Sequence, residues 1–300
     1  MKREGRGVAM KVPYYPGCTL STKGKGYDRS GRAVAAVLGM ELVELPDWQC
    51  CGATFPLATD NSMALIAPTR VLYQAEQAGE QVAALCAICY HVLKRTQTAL
   101  ERDPAMRDRI NWFTEQEYGG RVRVVHLLEL LRDNLGWEEL ARRVMRPLTG
   151  LRAAPYYGCL LLRPYDEIGL DNPEAPTILH DLIRALGAEP VDFPYSTECC
   201  GSYLTVKDPT VSETLSRDIV SSARAAGAQV LVTACPLCQF NLDWPQRETE
   251  FGRTGDEIPV VYFTQLMAVA LGLPEEDWGA EGMYTDPRPL LRQWAGDGDA

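Results

Sequence analysis

Short β-compatible runs alternate along this chain with longer stretches whose apolar positions recur at helical spacing. VPYY (12–15), ELVEL (41–45) and VAAL (82–85) read as strands. RSGRAVAAVLG (29–39) and TRVLYQAEQAG (69–79) read as helices, and both close on a glycine, a common helix stop. The same order then returns. AAPYY (153–157), AEPVDF (188–193) and QVLVTA (229–234) read as strands, and TILHDLIRALG (177–187) and residues 211–227 as helices. Strand, helix and strand in repeated succession predict an α/β fold with parallel βαβ units in each half.

The cysteines repeat with the same rhythm. Cys18, Cys50, Cys51, Cys86 and Cys89 fall in the first half, and Cys159, Cys199, Cys200, Cys235 and Cys238 in the second. Each half reads Cys, then Cys-Cys-Gly, then Cys-x-x-Cys. In both, 34 residues separate the adjacent pair from the Cys-x-x-Cys. The likeness extends to YYPGC (14–18) with PYYGC (155–159), QCCG (49–52) with ECCG (198–201), and AGEQVAALCAIC with AGAQVLVTACPLC. An internal duplication follows. The gap from the first Cys to the adjacent pair is 31 residues in one half and 39 in the other. RPYDEIGLDNPEAP (163–176) fills the difference, and its Pro, Asp, Asn and Gly residues predict a surface loop outside the shared core.

On this reading every cysteine lies just beyond a strand, where open parallel sheets bind ligands. Five thiols per half then converge on one rim from distant loops, with Gly17, Gly52, Gly158 and Gly201 allowing close backbone approach.

Composition narrows the ligand. In 300 residues with 46% hydrophobic content there is core enough without disulfides, and no secretory h-region follows the basic N-terminus. The longest apolar stretch, PVVYFTQLMAVALGL (259–273), is short and interrupted by Thr264 and Gln265, so no membrane span is expected and the protein reads as cytoplasmic. A net charge of −10 argues against nucleic acid. The charge is uneven: residues 1–32 are basic, and residues 275–300 form an acidic C-terminal tail that reads as solubilising or as a docking surface. Reduced thiols in this setting point to metal or redox chemistry. Zinc takes four thiolates and would strand a cysteine in each half, whereas iron–sulfur clusters are also thiolate-held, normally by four.

YYPGC, ELPDWQCCGA, LCAICY, VRVVHLLELL, PYYGCLLLRP, ECCG and ACPLCQFNL together resemble the B subunit of heterodisulfide reductase and its bacterial relatives, a family defined by two Cys-Cys-Gly (CCG) domains. The resemblance spans roughly residues 12–274. It implies two pseudo-symmetric Rossmann-like CCG domains, residues 1–150 and 151–274, each holding a non-cubane 4Fe-4S cluster on five cysteines at the carboxyl ends of the strands. Cys18, Cys50, Cys51, Cys86 and Cys89 would hold the first, and Cys159, Cys199, Cys200, Cys235 and Cys238 the second. In the family the clusters face each other across a cleft, where a small disulfide is reductively cleaved by one electron from each side. The implied protein is an oxidoreductase subunit of a larger complex.

The chain carries no ferredoxin cysteine run, no Gly-x-Gly-x-x-Gly after a strand and no P-loop lysine. The resemblance implies that electrons arrive from a C-type subunit with cubane 4Fe-4S clusters, fed by a flavin-bearing A-type subunit. Methanogenic members have a histidine where this chain has Leu160, which leaves the substrate open. Two other readings keep the clusters: an electron relay that cleaves no disulfide, and operation in the sulfur-oxidising direction.

Among other polar residues near the cysteines, Thr19, Lys23 and Lys25 follow Cys18, and Tyr90 and His91 follow Cys89. The lysines suit either an anionic substrate group or a solvated loop. His91 reads as a helix residue, packed or facing solvent. His126, whose counterpart is Tyr262, fits a hydrogen-bonding core position, and His180 a helix face.

Overall fold

The computed structural model describes residues 10–53, 62–248 and 257–295. Each half is a four-stranded parallel sheet. The first contains β1 (Met10–Tyr14), β2 (Met40–Glu44), β3 (Gln81–Ala84) and β4 (Arg123–His126) in the order β2-β1-β3-β4. The second contains β5 (Arg152–Pro155), β6 (Glu189–Pro190), β7 (Val230–Thr233) and β8 (Val260–Tyr262) in the order β6-β5-β7-β8. β1 runs in register with β2 from Met10↔Met40 to Tyr14↔Glu44, and β3 with β4 from Gln81↔Arg123 to Ala84↔His126. Central β7 is buried along its whole length, as parallel strands with both faces covered must be. The duplicated α/β fold expected from the sequence is present.

The helices Lys25–Val37, Ile66–Ala78, Ile178–Ala185 and Pro209–Ala225 match the periodic stretches to within a few residues. AEPVDF contributes only the two-residue edge strand β6, where Pro190 is tolerated because the Glu189 and Val191 amides on either side make the bonds to β5, at 2.8 and 2.9 Å. Helix Ala87–Arg102 follows β3 directly, so Cys86 is its N-cap and Cys89 lies in its first turn. Asp103 then ends that helix and caps the next, Pro104–Thr114, accepting from the Met106 amide at 2.9 Å.

Three features join the halves. Tyr27 is fully buried, and its hydroxyl, which donates to the Leu85 carbonyl at 2.7 Å, also reaches the Ala234 carbonyl of the second half at 3.4 Å. The Ala87 amide donates to the Ala234 carbonyl at 3.1 Å, tying the two Cys-x-x-Cys loops together by backbone. Ser30 and Thr264, both buried, hydrogen-bond at 2.7 Å between helix Lys25–Val37 and helix Phe263–Ala270.

Two segments depart from the sequence reading. Residues 163–176 are not a solvated loop. Helix Tyr165–Ile168 packs on helix Ala87–Arg102 of the other half, Glu167 pairs with Arg95, and Ile168 and Leu170 are buried. The polar composition misleads because Ile168 and Leu170 point inward from among largely exposed neighbours. Residues 275–295 are likewise held. Trp278 is completely buried, Arg29 bonds the Glu276 carbonyl at 2.9 Å, and Asp243 accepts from the Tyr284 and Thr285 amides at 2.8 and 2.9 Å. The backbones of Gly26 and Gly279 touch so closely that a Cβ on either would collide with the other's carbonyl oxygen. Among the described residues no helix is long and apolar enough to cross a membrane.

Candidate metal centres

The chain crosses to opposite sides of β1 on entering β2 and β3, which opens a crevice at the carboxyl end of β1; β5 repeats this in the second half. The cysteines sit around these crevices. Cys18 follows β1, Cys50 and Cys51 follow β2, and Cys86 and Cys89 follow β3. Cys159, Cys199, Cys200, Cys235 and Cys238 stand in the same relation to β5, β6 and β7.

Within each set the sulfurs approach in pairs. Cys18 and Cys50 are 3.6 Å apart, Cys51 and Cys89 3.8 Å, and Cys200 and Cys238 3.6 Å. These separations far exceed a disulfide bond of about 2.05 Å. They match the edge of a tetrahedron whose metal–sulfur bonds are about 2.3 Å, which is about 3.8 Å long. Among the described residues no three Cys, His, Asp or Glu side chains close on a point that could hold one ion.

Glycine makes the closeness possible. Gly17 has φ +70° and Gly158 φ +63°. A Cβ on Gly17 would lie 2.6 Å from the Cys89 sulfur, and one on Gly158 3.2 Å from the Cys238 sulfur. A side chain at either position would occupy the space of a thiol.

Crowding polarises the thiols. Cys51 is lowered to about 7, chiefly by its hydrogen bond with Cys89, while Cys89 is pushed up by the same bond and by burial. In the second set Cys199 is driven far down by its bond with Cys159, and Cys159 is driven up. Neighbouring thiols in each set are thus linked by hydrogen bonds that favour ionisation of some and oppose that of others, as expected where full ionisation would concentrate negative charge in a buried site. A cationic group is what would allow all five to ionise.

The two sets differ in exposure. Cys18 and Cys50 are exposed and Cys159 and Cys199 half-buried, while the remaining six are buried. A slot beside the second set is lined by Ala87 and Ile88 of the first half and by Leu160, Ser202, Cys200 and Cys238 of the second. Leu160 therefore sits where a ligand entering between the halves would meet it. Tyr203 leans across from the second half, its hydroxyl 3.5 Å from the Ala53 carbonyl. Its ionisation is opposed first by burial and then by Cys86, Cys235, Cys51 and Cys89, so it feels thiols of both sets. Sequence reasoning misses Tyr203 because its counterpart in the first half, Thr54, shows no likeness to it.

The other expected residues separate clearly. Lys23 and Lys25 are exposed, and the Thr19 hydroxyl lies 3.9 Å from the Cys18 sulfur. Tyr90 is buried away from the thiols, its hydroxyl on the Ile168 carbonyl at 3.3 Å. His91 is 6% exposed and lowered to about 4 by burial and then by Arg95. His126 is completely buried, with Nε2 on the Leu85 carbonyl at 2.8 Å and Nδ1 accepting from the Leu128 amide at 3.2 Å. That pattern places its proton on Nε2. His126 with Glu129 and Tyr262 with Gln265 form the same capping box at the same place in each half. His180 is more than a helix face: its Nδ1 meets the Tyr157 hydroxyl at 2.7 Å and its Nε2 meets Asp192 at 2.8 Å.

Comparison with known proteins agrees with this geometry. The cysteine-rich CCG domain family matches residues 12–94 and 153–243. A Wolinella succinogenes protein named 8-methylmenaquinol:fumarate reductase membrane anchor subunit is 34% identical, over 92% of this chain and 98% of its own. The B subunit of a ferredoxin/F420H2-dependent CoB-CoM heterodisulfide reductase from Methanosarcina acetivorans is 30% identical over 90% of this chain and 92% of its own. Among solved structures, a hypothetical protein from Helicobacter pylori shares the fold with a TM-score of 0.72 at 14% identity; it aligns with 91% of this chain, which spans about half (51%) of its length. With both cysteine-rich repeats matched and relatives aligned along nearly the whole chain, this protein belongs to the CCG-domain family of heterodisulfide reductase B subunits.

Proposed function

We propose that this protein is the iron–sulfur subunit of a heterodisulfide-reductase-like complex and that it cleaves a small disulfide between two non-cubane 4Fe-4S clusters. The observation that carries this reading is the placement of ten thiols in two pseudo-symmetric sets, six of whose sulfurs meet in three pairs at 3.6–3.8 Å. Pairing without threefold closure fits adjacent irons of a cluster better than one tetrahedral ion. Cys18, Cys50, Cys51, Cys86 and Cys89 would hold one cluster, and Cys159, Cys199, Cys200, Cys235 and Cys238 the other. When bound, the clusters would supply the two electrons that, with two protons, convert a disulfide to two thiols.

The chain's own residues provide the enclosure. Ile88, Leu160 and Leu237 give the slot apolar walls that exclude water from the reacting sulfurs. Tyr203 stands at the mouth between the sets, with a hydroxyl that holds its proton firmly. With all ten thiols engaged, no free cysteine remains for thiol–disulfide exchange. Electrons would arrive from a C-type subunit with cubane clusters and a flavin-bearing A-type subunit.

A second reading, a relay that passes electrons without cleaving disulfide, is favoured by the likeness to a subunit of a quinol-linked fumarate reductase. Iron and acid-labile sulfide, measured on protein purified without oxygen, test the cofactor: about eight of each per chain are expected for two 4Fe-4S clusters. Zinc in their place would end the reading. Adding thiol to the oxidised protein then separates the two functions, since only a disulfide-cleaving site changes its paramagnetic spectrum.

A further inference from the structure

The duplication matches the two cysteine sets residue for residue, yet one polar group has no partner in the comparison. Asn241 lies three residues after Cys238 in helix Pro236–Asp243, and Val92 lies three residues after Cys89 in the corresponding helix. Both side chains are 1% exposed. The Asn241 Nδ2 amide lies 3.4 Å from the Cys200 sulfur, 3.1 Å from the Cys200 carbonyl and 3.0 Å from the Ser202 carbonyl. Three acceptors on one side fix which end of the amide faces the thiol, because the flipped amide would set oxygen against all three.

The other end of this side chain shows what keeps it there. Oδ1 of Asn241 is buried without a hydrogen-bond partner. Such a group costs stability that an aliphatic side chain avoids, and the first half has valine. The amide is therefore retained for its donor end. Backbone donors do not distinguish the halves. Cys51 and Cys200 each receive a backbone hydrogen bond two residues on, from Ala53 and Ser202. The Tyr156 hydroxyl donates to the Glu198 carbonyl at 2.7 Å, and the Tyr15 hydroxyl donates to the Gln49 carbonyl at 2.8 Å and also hydrogen-bonds the Cys51 sulfur, so the side-chain amide on sulfur is particular to the second half.

Building on the proposal that each set holds an iron–sulfur cluster, we infer that Asn241 raises the reduction potential of the second cluster, through an N–H···S hydrogen bond to Cys200 at a position where the first half has Val92. Reduction by one electron adds one negative charge, spread largely over sulfur, and moves no proton. A donor on a ligand sulfur stabilises that charge, and hydrogen bonds to sulfur are among the factors that tune such centres. Asn241 thus raises the potential of the cluster on Cys159, Cys199, Cys200, Cys235 and Cys238, and that cluster holds an arriving electron more firmly for its presence.

The test is a redox titration of the full chain followed by electron paramagnetic resonance, with iron counted in each preparation. Asn241→Val, which copies the first half, is expected to keep its iron and shift one midpoint down. The reduced-to-oxidised ratio of that cluster should fall about tenfold at fixed potential, about 59 mV for a one-electron couple. The other midpoint should stay. Val92→Asn, the reciprocal change, is expected to raise the other midpoint alone, and it decides the question if Asn241→Val fails to fold. Full iron with unmoved midpoints in these variants overturns the inference and leaves the cluster reading intact. A wild-type chain without iron overturns both.

Discussion

The ring of Tyr27 lies flat on that of Tyr262, with centroids 4.0 Å apart and an interplanar angle of 1°. One ring belongs to the first half and the other to the second, so the stack is part of the joint on which the two cysteine sets depend for their relative position. Tyr27→Ala is expected to cost about 3–5 kcal/mol in chemical unfolding, as for other large buried aromatics. Tyr27→Phe should cost only about 1 kcal/mol. The Leu85 carbonyl that loses the hydroxyl still has the His126 Nε2 at 2.8 Å. An equal loss in both variants would show that the hydroxyl, not the ring, holds the joint.

Gly17→Ala and Gly158→Ala discriminate between the sets. Both place a Cβ at positive φ, a conformation costing an L-residue about 1–2 kcal/mol. Only Gly17→Ala drives that carbon to 2.6 Å from a thiol; at Gly158 the clearance is 3.2 Å. The expected outcome is a larger loss of iron per chain from Gly17→Ala than from Gly158→Ala. Equal iron in the two variants would mean that the Cys89 sulfur moves freely enough to tolerate the methyl group.

Truncation after Pro274 is expected to destabilise the fold as well as alter charge. It removes Trp278 and Leu291, both completely buried, and takes two amides from the Asp243 carboxylate. Trp278→Ala alone should cost about 3–5 kcal/mol. A truncated chain that melts like the full one would restore the picture of a loose acidic tail.

Acid sensitivity follows from His126. Burial lowers it from 6.5 to about 4 in the folded protein. The unfolded chain therefore binds the proton first as pH falls, and the folded state loses stability from about pH 6.5 down to about pH 4, where the native ring also protonates. The full loss is about 3 kcal/mol. His126→Gln, measured by urea unfolding at pH 7.5 and 4.5, should show a correspondingly smaller drop than the unaltered protein. An identical drop would place the acid sensitivity elsewhere.

What the sequence disclosed was whatever the duplication wrote twice. The parallel strands, the helices between them and the placement of ten cysteines beyond strand ends all follow from repeated apolar runs and repeated Cys-Cys-Gly. Features present in one copy are harder to see. Residues 163–176 look like a solvated loop because their polar residues outnumber Ile168 and Leu170, and only packing shows that these two are buried. The Asn241–Cys200 contact depends on three-dimensional approach between a helix and a loop 41 residues earlier, and no local pattern marks it. His180 looks like an ordinary amphipathic position because its partners, Tyr157 and Asp192, come from loops on either side of its helix.

The contact between Gly26 and Gly279 bears on the order in which the molecule is completed. Gly26 lies in helix Lys25–Val37 and leaves the ribosome 253 residues before Gly279 does. The first repeat cannot reach its final packing until the segment that carries Gly279 has been made. The clasp thus closes only on a chain in which both repeats are already present.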